Sequence, residues 1–331
     1  MTTPFGVVIP SWGSLGDAEA IGALIDAAED LGFSTAWFGD HVLLPEYAIA
    51  LSPANWYEAL TCCIYGMGRT SRLRFGTDVL VAPYRDPRLL AKMASTADRL
   101  SDGRLTLGVG VGFLRGEFDA LEVKSFERRG DVTDETLCVL RLLFETEGPA
   151  SFEGEYLRFE NAHAEPRPVQ RPLPLWVGGN GRRALRRAAL LGDGWHPLFP
   201  GVEEYRAGVH TINALRGERG QGDFTFSYSC SETRITDAPP ESDGSEPYAY
   251  ADMGALPDDY AYAPSTPRTE EGRALFVGTE EQVAGDIAAL LDAGVQHFAL
   301  RFWSGNAEFG PDRVAEQMRR FAERIAPRFT G

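Results

Sequence analysis

One acid–histidine pair directly follows a short apolar run, which is where the loops of α/β proteins carry catalytic groups. The pair is Asp40-His41, and the run spans residues 34–38. A histidine at this place can donate a hydrogen bond to a ligand or exchange a proton near neutral pH. It can also be a structural histidine that bonds a backbone carbonyl. We predict that Asp40 and His41 belong to a catalytic site.

A second candidate site lies where an apolar stretch, 175–177, meets a helical pattern that starts at Arg182. Backbone N–H groups at the start of a helix form an anion site, so this connection is expected to bind phosphate. The alternative is a plain tight turn. His196 and Pro197 follow the next predicted strand and should lie beside it. The connection consists of Gly178, Gly179, Asn180 and Gly181.

Glycines also alternate with valines over residues 108–112, at the end of another apolar run. Glycine lets a flat ligand approach the backbone closely, so Gly110, Val111 and Gly112 are candidate contacts of a ring system. The run is not a Walker loop, because no Lys-Ser/Thr pair follows it. Glu117, just beyond, could act as an acid or a base, although a surface carboxylate is the default interpretation.

Composition excludes several classes of partner and mechanism. The 331 residues include 48 acidic and 32 basic side chains, for a net charge of −16. Nucleic acids and anionic membranes bind positive surfaces, so we expect a small-molecule substrate instead. The five histidines form no H-x-H or H-x-x-x-H pair, which argues against a metal site, and no G-x-S-x-G motif suggests a serine hydrolase.

The sequence also predicts where the protein resides. Its four cysteines form no C-x-x-C pair and are expected to be reduced thiols. The first residues show no basic region followed by an apolar stretch, and no apolar run is long enough to span a bilayer. We therefore expect a cytoplasmic protein.

These candidate residues need a scaffold that brings strand ends together. Short β-rich runs alternate with amphipathic helical patterns, which is typical of a parallel sheet. Eight strands and about eight helices predict a (β/α)₈ TIM barrel that forms one domain over residues 1–331. An open doubly wound sheet is the alternative, but residues 10–16 fit its phosphate-binding turn poorly. The predicted strands are 5–9, 34–38, 73–80, 104–109, 173–177, a short one around Trp195, 224–229 and 298–302.

Three segments are too long for simple connections between strands and helices. Residues 42–55 follow strand two, and residues 147–172 are predicted to contain a small hairpin that turns at Gly154. Residues 236–272 are acidic and rich in proline and tyrosine. This last insertion is interpreted either as a solvated excursion or as a lid over the site.

Several stretches, in order along the chain, resemble the bacterial luciferase-like superfamily of flavin and deazaflavin enzymes, and most closely its branch that depends on coenzyme F420. The resemblance runs from the N-terminus to about the start of the acidic insertion. It is carried by 31–41 (LGFSTAWFGDH), 72–79 (RLRFGTDV), 85–87 (RDP), 99–112 (RLSDGRLTLGVGVG), Glu117-Phe118, 166–168 (PRP), 176–179 (WVGG) and 192–195 (GDGW).

The resemblance implies a barrel that holds a flavin-type ring at its C-terminal mouth. It implies a cis peptide at Asp78-Val79 behind the ring, and strand-four glycines that face the ring or its ribityl chain. Residues 178–181, with His196 and Pro197, would hold the phosphate, and His41 would lie at the reactive edge of the ring. The sugar-phosphate dehydrogenases of the branch carry a glutamate where this chain has Phe113, and the sequence shows no basic cluster suited to a sugar phosphate. A sugar phosphate is therefore an unlikely substrate.

The function that follows from the resemblance is hydride transfer between coenzyme F420 and a small, hydrophobic organic substrate. Two alternatives stay open: an FMN-dependent monooxygenase that uses reduced flavin and O₂, and a non-catalytic flavin-binding barrel. Luciferase-like barrels usually pair through helices two and three, so we also expect a homodimer. The apolar or small residues noted on those helices are Ala59, Cys63, Met67 and Met93.

Overall fold

The computed structural model describes residues 4–49, 53–123, 126–217, 222–240, 267–270, 272–303 and 310–329. Parallel strands close into a barrel, in which the strand at residues 74–77 pairs with the strand at 35–38 on one side and with the strand at 105–110 on the other. This confirms the predicted (β/α)₈ fold. The barrel strands are β1 (Phe5–Val8), β2 (Thr35–Phe38), β3 (Arg74–Thr77) with its continuation β4 (Leu80–Val81), β5 (Leu105–Gly110), β8 (Leu175–Gly178), β9 (Gly194–His196), β10 (Thr225–Ser229) and β13 (His297–Leu300).

Helices pack around the barrel between successive strands, as the alternating sequence patterns predicted. Their starts follow local rules: Asp17 caps α1, Pro87 begins α3, and Thr279 forms a capping box with Gln282 on α8. The helices are α1 (Ala18–Asp30), α2 (Ala59–Arg69), α3 (Pro87–Leu100), α4 (Arg115–Ala120), α5 (Arg129–Glu145), α6 (Arg182–Leu191), α7 (Val202–Arg216), α8 (Glu280–Asp292) and α9 (Pro311–Arg324).

The predicted insertions have different outcomes. The hairpin is confirmed, because β6 (Pro149–Glu153) pairs antiparallel with β7 (Arg158–His163), and Gly154 N donates to Leu157 O across the turn. Beyond β10, β11 (Arg234–Ile235) pairs with β12 (Val277–Gly278). Most of the acidic insertion, residues 241–266 and 271, lies outside the described residues, so the lid prediction stays open. None of the described helices is long and apolar enough to cross a membrane.

Aromatic side chains fill the interior of the barrel. Trp37 Nε1 donates to His297 Nε2 at 3.2 Å, and the ring of Trp176 lies 5.3 Å from each of those two rings. Burial lowers the pKa of His297 to about 3, so its ring is neutral and can accept this bond. A Cβ on Gly76 would come within 2.2 Å of Trp37, and one on Gly194 within 2.5 Å of Trp176. Glycine therefore provides the space that two tryptophans need inside one barrel.

The expected homodimer stays a prediction, but three of the four residues named for its interface are corrected, while the fourth, Met93, is partly exposed. Ala59 and Cys63 are fully buried and Met67 is 7% exposed, because they pack into the core of their own chain. Helical periodicity alone cannot tell a face that meets the barrel from one that meets another copy. The exposed apolar side chains of α2 are instead Ile64 and Tyr65.

We predict that Gly76→Ala lowers the free energy of unfolding by about 1–3 kcal/mol, since the new methyl group overpacks against Trp37. The matched control is Gly285→Ala on α8, where a Cβ meets nothing within 4 Å. That change should stabilise the fold by about 0.5–1 kcal/mol, because alanine favours the helix. Urea unfolding of both variants would check this, and equal midpoints would contradict it.

Candidate active site

His41 lies in the loop after β2 and is paired with Glu117, which α4 carries after β5. Their Nδ1 and Oε2 atoms are 2.9 Å apart. Tyr84 donates its hydroxyl to the same oxygen at 3.1 Å, while the N–H groups of Val42 and Leu43 donate to Oε1 at 2.5 and 3.2 Å. The Glu117 side chain is 1% exposed and that of His41 is 14% exposed. The interpretation of Glu117 as a surface carboxylate was therefore wrong.

Electrostatics determine what this pair can do. Burial alone would raise the pKa of Glu117, but the bonds from His41, Val42 and Tyr84 outweigh it and hold that pKa below its usual value. Burial and the neighbouring carboxylate raise the pKa of Tyr84, which therefore stays a donor. An ionised carboxylate only accepts hydrogen bonds, so Nδ1 of His41 carries a hydrogen. Its other ring nitrogen, Nε2, is then the one that can meet a ligand.

Asp40, the neighbour of His41, has a different role from the predicted one. Its carboxylate accepts two bonds of 2.7 Å from Arg85 and one of 2.8 Å from the N–H of Val81. Arg85 also donates to Glu58 at the start of α2. Asp40 is 5% exposed and joins the end of β2 to β4. We therefore revise its assignment from catalytic to positioning, because its oxygens are occupied by the protein.

The peptide between Asp78 and Val79 is cis, as the resemblance implied. The Asp78 side chain turns into the barrel and accepts bonds from Arg301 Nη2 at 2.8 Å and Ser229 Oγ at 3.2 Å. His196 Nε2 lies 3.0 Å from its other oxygen. All four side chains are buried, so Asp78 can contribute only its main chain to the mouth.

His196 was expected to bind phosphate and does not face that site. Its ring is fully buried inside the barrel, with Nδ1 2.7 Å from Ser227 Oγ and Nε2 on Asp78. Pro197 is buried as well, and its carbonyl accepts the N–H of Ser229. The ring thus points into the barrel and not toward the loop at 178–181. The position of His196 along the chain was not enough to predict its partner, because the direction of the side chain decides which groups it contacts.

Val79 follows the cis peptide and is partly exposed. Its side chain fills the space left by glycines on two neighbouring strands. A Cβ would lie 2.6 Å from Val79 on Gly110, 3.1 Å on Gly108 and 2.9 Å on Gly178. Gly108 and Gly110 on β5 thus make room for Val79. A flat ligand would contact the exposed side of Val79 and not the backbone of these glycines. Val111 and Gly112 follow at the end of β5 and are partly exposed.

The connection at residues 178–181 has the features of an anion site. Gly179 adopts φ +102°, which disfavours any side chain, and Gly181 begins α6 without a side-chain cap. The first N–H groups of α6 therefore lack the cap that usually satisfies them. Asn180 fixes the loop by donating to Leu198 O at 2.8 Å and accepting from its N–H at 3.1 Å. Its side chain is thus occupied by the protein.

Three arginines come from successive helices: Arg115 and Arg129 lie over the same ring, with guanidinium carbons 4.2 and 4.3 Å from the centre of Phe126, and Arg183 lies at the start of α6. Arg129 donates to Gly112 O at 3.2 Å. Burial lowers the pKa of Arg129, and the charges of Arg115 and Arg183 lower it further. The sequence showed no basic cluster because α4, α5 and α6 supply one residue each. The expectation that the substrate is not a sugar phosphate stays a prediction.

Sequence reasoning also missed an aromatic wall beside His41. The rings of Trp12 and Trp56 stack with centroids 3.9 Å apart and a 12° angle, and Trp303 contacts Trp12 edge-on at 4.5 Å. The His41 ring lies 4.6 Å from Trp56 and 6.0 Å from Phe113. These residues come from loops that are distant in sequence, so no local motif signals the wall.

Comparison with known proteins agrees with the barrel fold. The chain matches solved structures of monooxygenase RslO1 from Streptomyces bottropensis (TM-score 0.78, 22% identity, 99% of this chain and 100% of the other). It also matches an F420-dependent secondary alcohol dehydrogenase (TM-score 0.76, 20% identity, 98% of both chains). These likenesses show the shared fold.

Curated relatives match over shorter stretches. An FMNH(2)-dependent dimethylsulfone monooxygenase of Pseudomonas putida is 30% identical over 169 residues, which are 50% of this chain and 46% of that protein. The chain spans about half the length of the first curated relatives that it matches. The family described as luciferase-like monooxygenase matches residues 3–326. This chain therefore belongs to the luciferase-like monooxygenase family.

Proposed function

We propose that this protein transfers a hydride between coenzyme F420 and a small, hydrophobic organic substrate. The observation that carries the proposal is the His41–Glu117 pair at the barrel mouth. Hydride transfer to or from a carbon that bears oxygen must be matched by a proton on that oxygen. A histidine with one nitrogen fixed by a buried carboxylate can exchange that proton through the other nitrogen.

The described residues fit a cofactor of this type. Val79, supported from behind by glycines, offers a partly exposed apolar surface to a flat ring. The uncapped start of α6 and the exposed Arg183 offer N–H groups and positive charge to a phosphate. When bound, the deazaflavin supplies the hydride chemistry, and the protein supplies position and proton.

The residues of the chain then have two tasks, to transfer a proton and to stabilise the charge that results. In the oxidising direction, His41 Nε2 would take the hydroxyl proton of the substrate, the carbon that bears this hydroxyl would lose a hydride to the bound cofactor, and a carbonyl group would form. Glu117 stabilises the imidazolium that results, because its carboxylate stays ionised against Nδ1. The reverse direction returns the proton. The wall of Trp12, Trp56 and Trp303 keeps water away and favours an apolar substrate.

An FMN-dependent monooxygenase is the second candidate. It is supported by the 30% identity to the dimethylsulfone monooxygenase. The phosphate site suits both cofactors, since each ends its ribityl chain in phosphate. The proposal favours F420 because the Asp40-His41 sequence resembles the deazaflavin branch.

The cofactor preference can be measured directly. We expect F420 to bind at least tenfold more tightly than FMN when the purified protein is titrated with each and ring fluorescence is followed. Equal or reversed affinities would contradict the F420 assignment. Binding without any redox turnover on a panel of small hydrophobic alcohols and ketones would instead favour the non-catalytic barrel.

His41→Ala should leave the dissociation constant of the cofactor within about threefold, since the phosphate is held elsewhere. It should lower turnover by roughly 10²–10⁴, the range for a lost acid or base. Glu117→Gln should lower turnover about tenfold, because a neutral partner stabilises the imidazolium less. The control is Glu145→Gln at the far end of α5, which should change neither quantity. Normal turnover by His41→Ala would remove His41 from the mechanism.

Gly179→Val should weaken cofactor binding at least tenfold, because φ +102° and a contact at 3.1 Å with Ala184 leave no room for a side chain. Arg183→Ala is the companion variant, since an exposed arginine can be removed without disturbing the fold. It should also raise the dissociation constant, and more so at low ionic strength. Unchanged affinity in both variants would place the phosphate elsewhere.

A further inference from the structure

Buried polar atoms without a hydrogen-bond partner are concentrated in one sector of the barrel mouth. In the described part of the chain there are seven such side-chain atoms, and five belong to Ser11, Glu232, Arg234 and Arg301. These residues follow the neighbouring strands β1, β10 and β13. A buried polar atom left unpaired costs about 1–3 kcal/mol, so such a concentration calls for a reason.

Contacts connect these residues into one sector. Ser11 precedes Trp12, whose ring contacts Trp303 at 4.5 Å. The guanidinium carbon of Arg301 lies 5.2 Å from the centre of the Trp303 ring. Arg301 O accepts the N–H of Thr233 at 2.6 Å, and Glu232 is the residue before Thr233. The sector thus adjoins the aromatic wall that continues to His41.

Glu232 is the most unusual member. It is 1% exposed, and Ser231 and Thr233 on either side are equally buried. Arg234 Nε lies 3.2 Å from its Oε1, but neither atom makes a hydrogen bond. Burial raises the pKa of Glu232 to about 7, and the charge of Arg234 offsets this only in part. Near neutral pH the carboxyl group can therefore hold a proton and donate it in a hydrogen bond.

The side chains that carry the unpaired atoms share one chemical property: each of them can donate a hydrogen bond. Arg301 Nε can only donate, and a serine hydroxyl or a protonated carboxyl can do so too. The charge of Arg301 is already balanced by Asp78 at 2.8 Å. Such a set suits an uncharged acceptor oxygen better than an anion, which an ionising Glu232 would repel.

We infer that Glu232, with Ser11 and Arg301, forms a polar subsite that binds a carbonyl oxygen of the substrate and determines specificity for it. This inference rests on the proposed function, because it deepens the description of the same mouth. The subsite lies after β1, β10 and β13, apart from His41 and Glu117, so it holds a second oxygen and leaves the reacting one to His41.

The test measures binding and needs no turnover. Cyclohexanone and methylenecyclohexane have nearly the same shape, but only the ketone accepts a hydrogen bond. Saturation-transfer NMR on the purified protein, with and without F420, should give the ketone about tenfold tighter binding, or about 1.4 kcal/mol. Glu232→Leu should abolish this preference, while Glu232→Gln, which still donates, should keep it. The control Glu145→Leu should leave it unchanged.

Each other outcome overturns the inference. No preference in the wild-type protein would mean that the unpaired atoms bind no carbonyl, and a preference that survives Glu232→Leu would exclude Glu232. Tighter binding of cyclohexanecarboxylate than of cyclohexanone would make the sector an anion site of Arg301. If Glu232→Leu does not fold, Glu232→Gln still decides, since loss of the preference there excludes a donor role. A failed F420 titration with an intact ketone preference would reject the cofactor proposal alone.

Discussion

The Asp78 carboxylate, buried inside the mouth end of the barrel, is the interaction on which the site depends. It accepts hydrogen bonds from Ser229 on β10 and from Arg301, which follows β13, and it pairs with His196 on β9. Burying an ion pair is costly, and it is tolerated only where the remaining lone pairs are also satisfied. Here every bond that satisfies Asp78 also ties β3 to the opposite wall. Removing one partner would leave a buried charge, which typically costs about 3–5 kcal/mol.

This anchor has a consequence one residue later. Because the Asp78 side chain is fixed inward, Val79 emerges at the mouth, where Gly108, Gly110 and Gly178 leave it space. Three glycines on two strands therefore make room for one valine at the mouth. Deeper in the barrel, glycines make room for large side chains in the same way: Gly76 for Trp37 and Gly194 for Trp176. Side chains thus fill the barrel interior up to Val79 at the mouth.

The loops at the mouth are held by carboxylates that bond to residues far away in sequence. Asp40 and Arg85 join the ends of β2 and β4, and Glu117 accepts the N–H groups that follow His41. The histidine is consequently positioned from both sides, by its neighbour in sequence and by a residue 76 positions away. Such preorganisation is what a proton-transfer group needs, because a loosely held ring would lose its alignment with substrate.

The sequence by itself determined the architecture. Alternating strand and helix patterns predicted the strands of the barrel, because these signals are local and repeat along the chain. It also located the loops that carry His41 and the glycines of 178–181. Only the tertiary structure decided what each side chain meets. It turned Asp40 and His196 toward protein partners, buried Glu117 and assembled three arginines from three helices. The physical reason is that hydrogen bonds and burial depend on the direction of each side chain and on residues far away in sequence, which no local pattern specifies.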